Sequence, residues 1–472
     1  MKAATAIQSA PGVLAVKVDY PSGQATIGTA PGQSVPREEI LTALESIRYK
    51  GEFVTDEKKQ KRPTSKNQTS FQRPAILERF DANGNGKLDE SEKRELRGSF
   101  GNIDVPMLPA STFDYTTVRL PAHVKKSELQ SADNTPPDNP LTNHGATLGR
   151  VLFYDKQLSR NNTVACSSCH LQRAGFSDPK KRSQGFAGGQ TGRNAMSLAN
   201  VRYSNLQGHR PGFFWDERAA TVEAQVLMPI QDEVEMGMSL PNLETRLSQL
   251  AYYPALFKAA FGSPKVTSDR VAKAVAQFMR AMIVMDARFD RAAPATRDYS
   301  SPFPKFTEEE NLGKSMFFDG VDGVAEHGCA HCHVAPTFSM TKAFNNGLAM
   351  NYVDQGLGKL GRDSNDPFTP SNDGKFKAPS LRNIELTAPY MHDGRFTKLE
   401  QVVDHYSQGV QLHENLGLAF PGQETAKSPS GMKFTEKQKA GLIAFLKTLT
   451  DAKFAKDPKF SDPFVRIRKP KK

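Results

Sequence analysis

The chain has 472 residues, room for about three domains and for a core that needs no disulfide staples. Apolar residues make up 38%, charged residues 24%, and the mean hydropathy is −0.53 with no apolar run long enough to span a bilayer, which excludes a membrane-spanning, disordered or disulfide-dense chain. The net charge of +11 makes an anionic partner worth considering, but no basic cluster is interleaved with aromatics as nucleic-acid binding requires, and the densest runs, 58–62 and 466–472, read as solvated linker and terminus.

In chain order, residues 1–54 read as a small α/β module. Residues 13–18 and 24–27 predict two strands around Pro21-Ser22-Gly23, and 38–47 predict an amphipathic helix ending before Gly51. The run from Pro11-Gly12-Val13 to Tyr49-Lys50-Gly51 resembles a heavy-metal-associated domain of ferredoxin-like fold. That family binds soft metals through a Cys-x-x-Cys in its first loop. No cysteine here precedes position 166, so the resemblance implies a docking or scaffold module without its metal site.

Residues 55–105 comprise a polar, basic linker and then Asp81-Ala82-Asn83-Gly84-Asn85-Gly86-Lys87-Leu88-Asp89-Glu90-Ser91-Glu92. This run matches an EF-hand calcium loop at every ligand position. Asp81, Asn83 and Asn85 offer side-chain oxygens, Gly86 the sharp turn, Lys87 its carbonyl, Asp89 the ninth position and Glu92 a bidentate closure. Residues 74–80 and 90–97 read as the flanking helices. The competing reading is a polar Asn-Gly turn. With no second loop, the hand is expected to be unpaired and structural.

The four cysteines fall in two pairs, Cys166-Ser167-Ser168-Cys169-His170 and Cys329-Ala330-His331-Cys332-His333. C-x-x-C-H is the attachment signature of a c-type haem. Two thiols about one helical turn apart can each add to a vinyl group on one porphyrin edge, and the next residue carries its imidazole under the iron. A zinc site, a disulfide and a thioredoxin-like pair are the alternatives, but two copies that use every cysteine point to two covalently bound haems with His170 and His333 as proximal ligands. Haem attachment takes place outside the bacterial cytoplasm. Residues 1–12 are too short and polar for a signal peptide, so the expectation is a periplasmic or otherwise exported protein whose leader is absent from this chain.

The expected fold is mainly α, with a first haem domain at 106–300 and a second at 301–472. The segment 268–285 has apolar residues at helical spacing, with Phe278, Met279, Met282 and Met285 as core rather than ligands. Residues 294–306 read as a linker, Thr307-Glu308-Glu309-Glu310 as a capping box and 435–449 as a closing helix.

Residues 145–450 resemble the bacterial dihaem cytochrome c peroxidase and MauG family. The resemblance is carried by Leu148-Gly149-Arg150-Val151-Leu152-Phe153-Tyr154-Asp155, Phe214-Trp215-Asp216-Glu217-Arg218-Ala219, Pro379-Ser380-Leu381-Arg382-Asn383 and Thr387-Ala388-Pro389-Tyr390-Met391-His392-Asp393-Gly394. It implies a first haem that reacts with hydrogen peroxide, a second that handles electrons, and a redox protein donor or protein substrate as partner. Trp215, the single tryptophan, is implied to lie between the haems and relay holes. Gln225 and Glu235 match the pair that faces peroxide, the amide orienting it and the carboxylate moving its proton.

Residues 171–208 contain no histidine, and His209 sits only six residues before Trp215. The first haem is therefore expected to lack a distal histidine and to be open to peroxide without reductive activation. The second haem takes methionine in the peroxidases and tyrosine in MauG. The matching position, fourteen residues after His392, is Tyr406, with Met391 and then His405 as rivals, and with His327 and His331 expected to be exposed. Asn200, Thr387 and Pro389 match the family's interdomain calcium site. Three functions follow from the resemblance: a MauG-like enzyme, a cytochrome c peroxidase fed by a small cytochrome or copper protein, and a non-catalytic electron carrier or calcium-dependent adaptor.

Overall fold

The computed structural model describes residues 103–204, 212–321, 328–340, 342–361, 370–417 and 431–467, two strands near the N-terminus, and Ile40, Thr42, Asp89, Ser91, Glu92 and Glu95. The chain divides into two units, Met1–Ser70 and Phe71–Lys472. In the first, β1 (Val13–Asp19) pairs antiparallel with β2 (Gln24–Thr29), in register from Ala15–Gly28 to Asp19–Gln24. The expected turn at 21–23 and the expected helix, apart from helical Ile40 and Thr42, lie outside the described residues, as do Asp81, Asn83, Asn85 and Lys87. Asp89 and Glu92 are described. Asp89 Oδ1 accepts the backbone N–H groups of Ser91 and Glu92, while Glu92 Oε2 accepts that of Asp89 at 2.8 Å, a reciprocal cap at the start of a helical turn.

The second unit is built largely from helices around two cores. The short α1 (Lys126–Ala132) packs in a small separate cluster with Val124, Tyr203 and Met285, and the first core contains α2 (Asn143–Tyr154), α3 (Val222–Gln231), α4 (Leu240–Gln249), α5 (Tyr253–Phe261) and α6 (Ser268–Arg280). Threonine hydroxyls at 142, 221 and 267 accept backbone N–H groups and start α2, α3 and α6. Phe278, Met279, Met282 and Met285 are all buried, as their spacing predicts. α2 and α6 cross where Gly149 lies on α6, so close that a Cβ at that position would stand 2.0 Å from the Ala274 carbonyl oxygen.

The second core repeats the device with α7 (Arg288–Ala292), α8 (Glu308–Asp319), α9 (Leu399–Asp404) and α10 (Glu436–Lys447). The Thr307–Glu310 capping box forms as expected, with Thr307 N–H donating to Glu310 Oε2 at 2.8 Å. α8 and α10 cross at Gly313, where a Cβ would sit 1.9 Å from the Gly441 carbonyl oxygen. Alanine ordinarily stabilises a helix interior relative to glycine. Here Gly313→Ala is expected instead to destabilise by about 1–3 kcal/mol through overpacking, read as a lower midpoint in thermal unfolding of the holoprotein. An unchanged or raised midpoint would mean the crossing is looser than described.

The boundary expected at residue 301 is not a clean cut in space. Phe289 is fully buried against Phe338 and Phe445 of the second core, so that core begins on α7. Past α10 the chain returns to the first core. Phe454 and Phe460 are buried there, Tyr154 Oη donates to the Phe460 carbonyl at 2.7 Å, and β3 (Ile103–Pro106) pairs antiparallel with β6 (Phe464–Ile467). A two-residue ladder of β4 (Ala343–Phe344) and β5 (Phe376–Lys377) lies beside the second core. Among the described residues no helix is long and apolar enough to cross a membrane.

Candidate active site

Cys166–Cys169 forms a single helical turn, and both thiols are free. The turn puts the two sulfurs on one side, and His170 follows with its Nδ1 bound to the Phe176 carbonyl at 2.9 Å. That bond sets the ring orientation and leaves Nε2 for a metal. The second motif repeats the arrangement on a 3₁₀ turn, Cys329–His331, with His333 Nδ1 near the carbonyls of Pro379 at 3.0 Å and Phe338 at 3.3 Å. Arg382 ties the segments that supply them. Its buried guanidinium donates to the Pro336 carbonyl and pairs with Asp290 at 2.8 Å. Burial holds His170 below its ordinary value and pushes His333 down to about 4, so both imidazoles are neutral at pH 7, the form that binds iron.

His170 opens onto a cavity of about 920 Å³ whose walls also carry Trp215, Gln225 and Glu235. Gln225 comes from α3. Glu235 comes from the turn after it, where its N–H donates to Asp232 Oδ1 at 3.0 Å and its carbonyl accepts Phe186 N–H at 2.9 Å. Gly185 permits this approach, since a Cβ there would stand 1.6 Å from the Val234 carbonyl oxygen. Burial, reinforced by Asp232 and opposed by Arg218, pushes the Glu235 carboxyl up to about 7. Such a group exchanges protons at neutral pH, which a surface carboxylate does not do.

His333 opens onto a second, tighter cavity of about 230 Å³. Cys329, Cys332, Tyr406 and Met391 line it, and so does Trp215, which therefore stands on the walls of both cavities. One hydrogen bond from each haem domain holds this tryptophan. Its Nε1 donates to the Asn194 carbonyl at 2.8 Å, and its own carbonyl accepts Lys377 N–H at 2.8 Å. Its ring meets His392 edge-on at 6.4 Å, and His392 lies flat on Phe376 at 3.6 Å. Arg193 bridges Asp216 and Asp354 at 2.6 Å each, joining the two domains beside the indole.

Tyr406 sits in a π-helical turn, His405–Gly409, a local widening of the helix often found at functional positions. Its Oη accepts from Asn346 Nδ2 at 3.3 Å, and Met391 Sδ lies 3.6 Å from the same nitrogen. His405 is buried, with Nε2 on the Asn346 carbonyl at 3.0 Å, so it turns away from a ligand role. His331 is exposed, and His209 and His327 lie outside the described residues.

The three residues expected to bind an interdomain cation are divided between two cavities that share part of their walls. Thr387 and Pro389 line the second cavity, and Asn200 the first. The Asn200 amide is engaged by the backbone, accepting Val284 N–H at 2.8 Å and donating to the Val284 carbonyl at 3.2 Å. Its counterpart in the second core is Asn383, whose Oδ1 accepts Asp451 N–H at 2.7 Å. Ser197-Leu198-Ala199-Asn200 and Ser380-Leu381-Arg382-Asn383 are thus one repeated element. Each asparagine is left-handed, at φ 59° and 62°, and each clamps the chain just beyond its domain's last core helix. This S-L-x-N repeat is a signal that the sequence carries by itself. Asn346, Asn194 and Lys377 carried no comparable signal, because their partners lie far away in the chain.

The family described as di-haem cytochrome c peroxidase matches residues 143–298. The methylamine utilization protein MauG of Methylorubrum extorquens is 33% identical over 315 residues, 66% of this chain and 80% of that protein. The cytochrome c551 peroxidase of Nitrosomonas europaea is 29% identical over 307 residues, 65% and 79% of the two chains. Among solved structures, a MauG-like protein associated with microbial copper homeostasis superposes with a TM-score of 0.59 at 32% identity, over 74% of this chain and 99% of that one.

Proposed function

The chain belongs to the dihaem cytochrome c peroxidase and MauG family and is an oxidoreductase acting on peroxide; on that premise, we propose that it works in the MauG manner, oxidising a protein or other substrate through Trp215 and a tyrosine-ligated second haem. The family implies two covalently bound haems. The donor sets fit them: Cys169 and the oriented, neutral His170 line the first cavity, with Cys166 one helical turn away, and Cys329, Cys332 and His333 line the second. When bound, the haems supply the electrons that cleave the O–O bond and store the oxidising equivalents.

The protein's own groups do the rest. Glu235 takes the proton from the near peroxide oxygen and returns one to the far oxygen, which leaves as water. Gln225 holds the peroxide in line for that transfer, and Trp215 carries the electron hole between the domains. The observation that carries the reading is Tyr406, which lines the same cavity as Cys329, Cys332 and His333. A phenolate is a hard anionic donor and stabilises oxidised iron. The cytochrome c peroxidase reading has its own support in Met391, whose sulfur shares the Asn346 amide. We also propose a calcium ion held by Asn200 with the carbonyls of Thr387 and Pro389, keeping Trp215 in register, and another in the loop from Asp81 to Glu92.

One experiment separates these readings. Stoichiometric peroxide is added to the fully ferric protein without reductant, and the optical and EPR signals of both haems are followed. Loss of both ferric signals into a persistent oxidised state is expected. No reaction until one haem is reduced would make the protein a reductively activated cytochrome c peroxidase. Repeating the mixing after calcium chelation is expected to slow the response of the second haem and not the first; an unchanged response would remove the interdomain ion from the account.

A further inference from the structure

We propose that Asn346 is the positioning residue that selects the sixth ligand of the second haem, holding Tyr406 there in preference to Met391. The inference rests on the Tyr406 reading above. Both candidate ligands line one cavity with His333, and both come within hydrogen-bonding range of one amide nitrogen, Tyr406 Oη at 3.3 Å and Met391 Sδ at 3.6 Å. They therefore share one amide, which has two N–H groups to give, and compete for one coordination position.

The competition is unequal. A phenolate oxygen receiving an N–H forms a charge-assisted bond, whereas a thioether sulfur is a weak acceptor. An N–H from this amide thus stabilises a tyrosinate oxygen far more than it stabilises a methionine sulfur. In an apolar cavity, an anionic ligand without such a donor would be costly to bury.

The amide is also placed with little freedom. The Asn346 carbonyl accepts His405 Nε2 at 3.0 Å, and His405 directly precedes Tyr406 in the π-helical turn. The neighbouring Asn345 carbonyl accepts Gly417 N–H at 3.0 Å, anchoring the same segment to the chain beyond that turn. The donor and the phenol it serves therefore move as one piece. Met391 reaches the cavity from a different segment and from a left-handed backbone, φ 70°, a conformation that a non-glycine residue keeps only when its surroundings hold it. Losing the amide would leave a soft sulfur poised beside a phenol that has lost this donor's support. The phenol would then take back a proton and withdraw as the thioether binds, a change that favours ferrous iron over ferric.

The test uses the ferric holoenzyme, with magnetic circular dichroism to identify the ligand and potentiometric titration of each haem. Wild type is expected to show a phenolate charge-transfer signal at the second haem; its absence would overturn both the Tyr406 reading and this inference. With that signal present, Asn346→Leu is expected to replace it with a thioether signature and to raise the second potential while the first stays unchanged. Asn346→Asp, which keeps the shape and removes the donor, should behave alike if the leucine variant fails to fold, and Asn346→Gln should restore part of the phenolate signal. Adding Met391→Leu to Asn346→Leu should abolish the thioether signature. An Asn346→Leu or Asn346→Asp protein that keeps both the phenolate signal and the wild-type potential would overturn the inference and leave Tyr406 ligation standing.

Discussion

Glu235→Gln is expected to slow peroxide consumption by about 10²–10⁴-fold, the usual contribution of a positioned acid–base group. The substitution keeps shape and volume and removes only the exchangeable proton, so it isolates the chemistry from the packing of the 232–238 turn. Wild-type turnover with peroxide should rise with pH and level off above about 7, as the carboxylate form that accepts the peroxide proton fills. The variant should lack that titration. Stability supplies the control. Burial raises this carboxyl from 4.5 to about 7, so its ionisation opposes folding; that penalty is absent below pH 4.5 and fully present above 7. Glu235→Gln removes the penalty and is expected to melt no lower than wild type at pH 8. A variant that consumes peroxide at the wild-type rate would end the assignment of Glu235.

Trp215→Phe should divide the enzyme functionally in two. Phenylalanine fills much of the same wall but is far harder to oxidise, and it cannot donate to the Asn194 carbonyl. Losing that hydrogen bond costs about 1 kcal/mol, too little to unfold the domain interface, which Arg193 also bridges to Asp216 and Asp354. Peroxide consumption in a single turnover is expected to stay within about tenfold of wild type, roughly 1.4 kcal/mol in barrier. Oxidation of the second haem and turnover of a macromolecular substrate are expected to collapse. Rapid-mixing optical and EPR spectroscopy of the two haems reads both halves in one experiment. If both haems respond in the variant as they do in wild type, Trp215 is a buried aromatic anchor and no relay.

What could be read without coordinates shares one physical character: it depends on residues near one another in the chain. Covalent haem attachment needs two thiols and an imidazole within five consecutive positions, so Cys166–His170 and Cys329–His333 announce themselves. The capping box at Thr307–Glu310 and the apolar face of α6 obey spacings of three and four residues, and both appear where expected. The two strands expected near the N-terminus form and pair antiparallel.

The boundary between the two haem domains was legible only approximately. Phe289 and Phe460 look like ordinary apolar residues in sequence, and nothing local reveals that one belongs to the second core and the other to the first. The place of Asn200 was only partly legible. Its match to a cation ligand could be read, but its hydrogen bonds to Val284 depend on where the chain lies after α6.

The sequence by itself determined the cofactor class, the candidate proximal ligands and the helical character of the chain, because short-range covalent and periodic constraints leave an imprint within a few residues. Only the tertiary structure decided that Trp215 faces both cavities, that one amide sixty positions before Tyr406 serves both candidate ligands, and that burial brings Glu235 to a neutral-pH proton exchanger. Those properties arise from desolvation and from donors and acceptors that meet across long chain separations, and such meetings follow no period a sequence could display.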